Sequence, residues 1–244
     1  MNENFIREIR INWNQIDKNS YLRKITVLKN LERFEFANPV TFFAGENGSG
    51  KSTLLEAIAI ASGFNPEGGT KNYHFHTYDS HSELYNALSV VRGSRRERWG
   101  FFLRAESFYN VSTMEEEYAK DEKGKYIVEP LMLHEMSHGQ SFMEIIKRKF
   151  TSGLFIIDEP EAALSPAKQL ELIVMIHNCV ENGSQFIIAS HSPILLGYPD
   201  AEIISFDGEE LSRIRYEDTS SYWITRRFVN NRTKMLNELI SAND

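Results

Sequence analysis

The stretch from residue 40 to residue 53, VTFFAGENGSGKST, limits what this chain can fold into more than any other. Residues 40–44 form a short run rich in β-branched and aromatic residues, which predicts a buried strand. Residues 45–52 then match the pattern G-x-x-x-x-G-K-[ST] without a gap. Residues 53–62, TLLEAIAIAS, are mostly apolar and strongly helical. A strand, a glycine-rich loop and a helix in this order are the context in which the pattern surrounds phosphate.

The residue types in this loop suit a bound triphosphate. Its glycines allow the backbone to curl so that successive N–H groups point at phosphate oxygens. Lys51 would place its ammonium on the β- and γ-phosphates, and Ser52 would give its hydroxyl to Mg²⁺. The alternative is a strand-to-helix turn that binds nothing, but both flanking segments favour the phosphate site. The sequence therefore predicts that the chain binds a nucleoside triphosphate.

The composition limits the number of domains, the kinds of ligand and the redox compartment that the protein can have. A chain of 244 residues supports one large domain or two small ones. A net charge of −7 gives no overall basic field for nucleic acid, although it allows a local basic patch. The only cysteine, Cys179, excludes an internal disulfide and suits a reducing compartment. It is either a small core residue or a reactive thiol.

The apolar runs of the sequence are short. The N-terminus lacks the apolar stretch of a signal peptide, and no run approaches the ~20 residues that span a bilayer. We therefore expect a cytoplasmic protein without an intrinsic membrane segment.

Residues 3–37 alternate apolar and polar positions, which predicts two or three antiparallel strands. The apolar positions are Phe5, Ile9, Ile11, Ile25, Val27, Leu31, Phe34 and Phe36. Such a sheet could cover a nucleotide from one side, with Tyr21 stacked on adenine. The alternative is that Tyr21 is a surface residue beside a turn.

The middle of the chain carries weaker patterns. Residues 63–80 read as a glycine- and histidine-rich loop, in which His74, His76 and the following His81 lack the spacing of a zinc site. Residues 81–92 predict an amphipathic helix, residues 99–108 a strand that runs into a loop, and residues 112–125 a charged helix and turn. Arg95, Arg96 and Arg98 belong to a basic cluster that is either a solvated face or a nucleic-acid contact.

The second half of the chain alternates strands and helices. The predicted elements are an amphipathic helix around residues 142–150 with Ser137 and Gln140 as a capping box, a strand at 154–158, a helix at 166–180, a strand at 184–189, a hairpin of 201–206 and 211–216, and a pair of helices from residue 220. Such alternation predicts an α/β fold with a mainly parallel sheet covered by helices on both faces. Ligands collect at the carboxyl ends of the strands of such a sheet.

Four candidate functional side chains follow predicted strands, so they can meet at one site. They are Lys51, Asp158, Glu159 and His191. Asp158 is the residue type that holds Mg²⁺ beside a phosphate loop, and Glu159 can deprotonate an attacking water. The alternative for these acids is a helix cap. His191 is either an ordinary loop histidine or a contact to the γ-phosphate.

The order GENGSGKST, MSHGQS, LFIIDEPEAALSP and ASHSP resembles that of the ATP-binding-cassette (ABC-type) ATPases. The likeness is closest to the soluble SMC/RecF/OLD-like AAA branch, here compact and without a coiled coil. In this resemblance residues 45–53 are Walker A, residues 137–140 the signature motif, Asp158 and Glu159 Walker B, residues 163–166 the D-loop, and His191 the switch histidine.

The resemblance implies a P-loop NTPase fold and an ATPase that acts as a head-to-tail homodimer. Each ATP and its Mg²⁺ would lie between the Walker motifs of one subunit and the signature helix of the other. Glu159 and His191 would be catalytic, and Ser52 and Asp158 would hold Mg²⁺. The implied nucleotide-binding residues are Gly45, Asn47, Gly48, Ser49, Gly50, Lys51, Ser52, Thr53, Ser137, Gly139 and Gln140.

Two positions depart from the family pattern. His138 stands where the first glycine of the signature is usual, which puts the geometry of the trans contact in doubt. No glutamine-loop residue occupies the usual place, and Glu106 is the substitute that the sequence offers, with a surface glutamate as the alternative.

We expect a single ABC-type ATPase domain over residues 1–244. Its parts would be an antiparallel β part at 1–38, a P-loop core at 39–65 and 131–216, a helical and loop subdomain at 66–130, and C-terminal helices at 217–244. The first function that this predicts is a soluble ATPase acting on DNA or on a partner protein such as a nuclease, toxin or other effector. The alternatives are the nucleotide-binding subunit of a membrane transporter and a module that binds ATP without hydrolysing it.

Overall fold

A computed structural model describes residues 3–71, 82–97, 99–104, 113 and 138–241. The strands in these ranges are β1 Ile6–Ile11, β2 Arg33–Glu35, β3 Val40–Ala44, β4 Leu88–Arg92, β5 Gly100–Arg104, β6 Leu154–Asp158, β7 Gln185–Ala189, β8 Glu202–Ser205 and β9 Ser212–Ile214. The α-helices are α1 Lys51–Ala61, α2 Leu84–Ala87, α3 His138–Lys149, α4 Pro166–Glu181 and α5 Ser220–Ser241. Short 3₁₀ turns occupy Trp13–Gln15, Tyr21–Lys24, Pro160–Ala162, Leu195–Gly197 and Tyr216–Asp218.

Six strands form one sheet in the order β5-β6-β7-β3-β8-β9. All neighbouring pairs are parallel except the β8–β9 hairpin. Consecutive side chains of β6 enter different cores, since Phe155 lies in one and Ile156 in the other. Strands that are buried on both faces have to be apolar throughout, which explains the unbroken apolar runs in the sequence. The predicted α/β class with a mainly parallel sheet is confirmed.

Helices cover both faces of this sheet. The α1 helix packs Leu54 and Ile58 into the first core, and α4 packs Leu172 and Ile176 into the second. Ser165 caps α4 by accepting a hydrogen bond from the Lys168 N–H at 3.4 Å, as expected for a helix that begins with proline.

Cys179 lies in the second core and is 5% exposed. Burial raises the pKa of its thiol to about 11, because an apolar environment disfavours the thiolate. The side chain is therefore a small core residue, and the reactive-thiol alternative is not supported.

The N-terminal antiparallel sheet is present, but its strands differ from the prediction. Its order is β2-β1-β4, so one strand comes from Leu88–Arg92. The prediction of a strand through Ile25 and Val27 was wrong, because the backbone there closes into turns in which the Leu28 N–H donates to the Ile25 carbonyl. The predicted helix at 81–92 was also largely wrong. Only Leu84–Ala87 is helical, and the β-branched residues that follow pair with the edge of β1.

The end of the chain follows the prediction. The β8–β9 hairpin forms, and α5 is interrupted at Asn231 (φ −135°, ψ 35°), which divides it into two helical halves. Among the helices that the structure describes, none is long and apolar enough to cross a bilayer. Several predictions lie outside the described residues: the three histidines His74, His76 and His81, the helix and turn at 112–125 apart from residue 113, Arg98, Glu106 and Ser137.

Candidate nucleotide-binding site

The loop between β3 and α1 has a backbone that only glycine adopts comfortably. Gly45 has φ 151° and Gly50 has φ 103°, both on the positive side. A side chain at Gly45 would also bring its Cβ within 2.7 Å of Asp207 Oδ1, the same oxygen that accepts a 2.7 Å hydrogen bond from the Glu46 N–H. The Asp207 carboxylate, two residues after the neighbouring strand β8, therefore fixes how the loop leaves β3.

Lys51 is folded over this loop. Its side chain is only 3% exposed, and its ammonium donates to the carbonyls of Gly45 and Glu46 at 2.8 Å each. The α1 helix starts at this residue, and Gly50 provides no side-chain cap. The first N–H groups of α1 consequently lack intrahelical partners and sit at the positive end of the helix dipole. Cation, free amides and dipole all favour an anion here.

Ser52 and Asp158 meet where α1 approaches the carboxyl end of β6. Ser52 Oγ donates to Asp158 Oδ1 at 2.9 Å, and Asp158 is 7% exposed. A hydroxyl and a carboxylate supply the oxygen donors that Mg²⁺ prefers. Nearby in the loop, Ser49 Oγ is buried and has no hydrogen-bond partner within the described residues. The donor set and this unsatisfied hydroxyl fit a loop that holds phosphate and Mg²⁺.

Glu159 follows Asp158 in a strained conformation. Its φ is 47°, in the left-handed region, and its N–H donates to the Ala189 carbonyl at 3.0 Å. Its side chain is 34% exposed and lies 4.0 Å from His191 Nδ1. The turn thus directs a partly exposed carboxylate toward His191, and the role of Glu159 in activating water stays a prediction.

Glu161 holds the loop that carries His191, and sequence reasoning missed it. One of its carboxylate oxygens accepts from the Ser190 hydroxyl at 2.9 Å and from the His191 N–H at 2.7 Å. The same oxygen lies 3.4 Å from His191 Nδ1. The Glu161 side chain is 8% exposed, whereas that of His191 is 48% exposed. A buried acid therefore orients an accessible imidazole.

Three of the four residues of the signature motif, His138, Gly139 and Gln140, begin α3. Gly139 packs so tightly that a Cβ there would lie 2.8 Å from the Ala163 carbonyl, in the segment compared with the D-loop. Gln140 is exposed on the same helical turn. Ser137 lies outside the described residues, so its predicted contact with a triphosphate stays a prediction.

Two further predictions concern the edges of the site. Tyr21 is 54% exposed in the 3₁₀ turn Tyr21–Lys24, which leaves both the adenine-stacking and the surface interpretation open. At the other edge, β5 ends on Arg104, which pairs in register with Asp158. Sequence reasoning passed over Arg104 in favour of Glu106. Arg104 could have been found from the sequence, because it ends a predicted strand and the ends of parallel strands share one edge of the sheet.

Comparison with known proteins identifies the family. The family model described as "AAA domain" matches residues 19–185. The chain belongs to the AAA domain family.

Curated relatives share roughly a quarter of their residues with this AAA-domain protein. Phosphate import ATP-binding protein PstB 1 of Streptococcus agalactiae is 26% identical over 194 residues, covering 70% of this chain and 77% of PstB 1. Macrolide export ATP-binding/permease protein MacB of Neisseria meningitidis is 24% identical over 211 residues, covering 78% of this chain. The match spans only 32% of MacB.

A solved structure supports the fold. The AAA-domain protein superposes on cbiO1 from Clostridium perfringens, part of the ABC transporter complex cbiONQ, with a TM-score of 0.51. The match covers 96% of this chain and 99% of cbiO1 at 15% identity. At that identity the likeness shows the fold alone, which is that of an ABC-type ATPase.

Proposed function

We propose that this protein binds Mg²⁺ and ATP at the loop between β3 and α1 and hydrolyses ATP there. One observation carries the proposal: the glycine loop, the buried Lys51 ammonium and the Ser52–Asp158 pair converge at one end of the sheet. Each has the chemistry that one part of the ligand needs. Backbone amides and ammonium suit the phosphates, and the hydroxyl with the carboxylate suits Mg²⁺.

The residues of the chain divide the reaction among them. When ATP binds, the Lys51 ammonium exchanges its two carbonyl acceptors for phosphate oxygens. It is therefore hydrogen-bonded both with and without nucleotide. Ser52 and Asp158 would hold Mg²⁺, which would neutralise phosphate charge. Glu159 accepts a proton from the water that attacks the γ-phosphorus, the bond to the β-phosphate oxygen breaks, and ADP and phosphate leave.

The switch loop completes the proposed site. His191 contacts the γ-phosphate, and Glu161 is a positioning residue because it binds both the backbone and the imidazole edge of His191. Ser137, Gly139 and Gln140 contact the triphosphate held by a second copy. The helix N-terminus that carries them offers free amides to an anion. ATP therefore favours a head-to-tail homodimer, and hydrolysis releases it.

The proposed ATP binding and hydrolysis would change the state of a second molecule, either DNA or a partner protein. Two arginines of the segment 92–98, which contains the basic cluster, are already paired within the chain, Arg92 with Glu97 and Arg95 with Glu3. Their charge is partly neutralised, which disfavours DNA as the ligand of this cluster. We therefore favour a partner protein, such as a nuclease, toxin or other effector, over direct DNA binding, and we place the cycle in the cytoplasm.

The test is phosphate release from ATP by the purified protein, measured with Mg²⁺ and after its chelation by EDTA. We expect release only with Mg²⁺, because the triphosphate charge is otherwise uncompensated. ATP binding without phosphate release would contradict hydrolysis, and the absence of ATP binding would contradict the site.

The second candidate function is the nucleotide-binding subunit of a membrane transporter. The similarity to PstB 1 over 77% of that protein favours it. Purification of the tagged chain from cells with an integral membrane protein bound in stoichiometric amount would support this function. Recovery of the ATPase with a soluble effector in equal amount would support the first.

A further inference from the structure

Arg104 lies beside the proposed metal site, and the roles assigned so far leave it unused. Its backbone pairs with that of Asp158 across β5 and β6. Its guanidinium Nε lies 3.8 Å from Asp158 Oδ2, while the other oxygen of that carboxylate accepts from Ser52. The Arg104 side chain is 18% exposed. The permanently charged guanidinium of Arg104 therefore forms an ion pair with Asp158, the carboxylate that is proposed to hold Mg²⁺.

Glu56 of α1 anchors this guanidinium. Arg104 Nη1 donates to Glu56 Oε2 at 2.6 Å, and the other carboxylate oxygen of Glu56 accepts from the Ser82 N–H at 3.0 Å. Glu56 is 7% exposed and is itself on the helix that starts at the phosphate loop. The anchor fixes one edge of the guanidinium and leaves the edge with Nε facing Asp158.

A purely structural role explains only part of this geometry. Joining β5 to α1 requires the Glu56 contact, but it does not require the guanidinium to face Asp158 as well. A carboxylate that ligates Mg²⁺ has its charge compensated by the metal, so it no longer needs a cation at 3.8 Å. The arginine then has donors directed at the same edge of the sheet, where a triphosphate held by the phosphate loop would bring the negative charge of its terminal phosphate.

We propose that Arg104 binds the γ-phosphate of ATP held by its own chain, and that it pairs with Asp158 when nucleotide is absent. This inference rests on the proposed function, since it requires triphosphate in the phosphate loop. It makes Arg104 the residue that distinguishes ATP from ADP within one subunit. A planar guanidinium suits this role because it presents several donors to phosphate oxygens at once.

The test is isothermal titration calorimetry with AMP-PNP and with ADP, both with Mg²⁺, on the full chain and on Arg104→Gln. We expect Arg104→Gln to weaken AMP-PNP binding about tenfold or more and to change ADP binding by less than about twofold, because only the triphosphate reaches the arginine. Arg104→Lys should recover part of the preference, because it retains the charge but not the fork. Arg92→Gln is the matched control, since it removes an arginine from another ion pair, with Glu97.

The outcomes separate the two hypotheses. Equal losses for AMP-PNP and ADP in Arg104→Gln would show that Arg104 only supports the fold of the loop, and unchanged affinities would show that it contacts neither nucleotide. Either result overturns this inference and leaves the proposed function standing. Failure of the unsubstituted chain to bind either nucleotide overturns both.

Discussion

The carboxyl end of the six-stranded sheet and the C-terminal helix α5 carry similar residue types in opposite environments. At the sheet, Lys51 is 3% exposed and Asp158 is 7% exposed, and both have hydrogen-bond partners. In α5, no residue is buried, and the side chains of Lys234 and Glu238 are 79% and 51% exposed. Water therefore competes for the charges of α5 far more than for those of the sheet edge.

This difference indicates where the substitution of a charged residue should affect binding or stability. Removing one member of a buried polar pair is costly, because it leaves the partner buried without a hydrogen bond or a compensating charge. An exposed ion pair such as Lys234–Glu238, with its atoms 4.0 Å apart, is worth little in water. The same substitution made in both regions should thus produce a large effect at the sheet and almost none in the helix.

The largest contrast is expected for lysine. Lys51→Ala should abolish measurable binding of Mg²⁺ and ATP, a loss of at least ~100-fold, because it removes the only ammonium that we place on the phosphates. Lys234→Ala should bind ATP within about twofold of the unsubstituted chain. Titration calorimetry measures both. ATP affinity in Lys51→Ala equal to that of the control would place the nucleotide elsewhere.

The next contrast compares two glutamates. Glu159→Gln should retain ATP binding and lower turnover by ~10²-fold or more, because an amide cannot accept the proton of the attacking water. Glu238→Gln should hydrolyse ATP at the parental rate. A phosphate-release assay decides between these outcomes, and a parental rate in Glu159→Gln would remove the role given to that carboxylate.

The smallest contrast concerns apolar packing. Ile176→Val should lower the free energy of unfolding by about 1 kcal/mol, because it deletes one methyl group from a closed core. Ile240→Val, at a position 63% exposed, should change it by less than about 0.5 kcal/mol. Urea denaturation followed by circular dichroism checks the pair. Equal losses would indicate that Ile240 is covered in solution.

The sequence predicted the elements whose patterns are local. The loop at residues 45–52 lies between an apolar strand and a helix, so its position needed no distant contact. Asp158 and Glu159 end an apolar run, and strand ends of a parallel sheet share one edge. The predicted convergence of Lys51 and Asp158 therefore followed from connectivity alone.

Features that depend on contacts between residues far apart in the chain could not be predicted from the sequence. The β4 strand forms because β1, some 80 residues earlier, offers it an edge, whereas the sequence of residues 81–92 alone suited an amphipathic helix. Arg104 reaches the site only through the register of β5 against β6. Glu161 acts through contacts with Ser190 and His191, which no spacing in the sequence indicates.

The most direct test of the central claim, that ATP closes two copies around a shared site, is the mass of Glu159→Gln by sedimentation equilibrium. With Mg²⁺ and saturating ATP we predict twice the monomer mass, and with Mg²⁺ and ADP the monomer mass. A protein that binds ATP yet keeps one mass under both conditions would contradict the composite site.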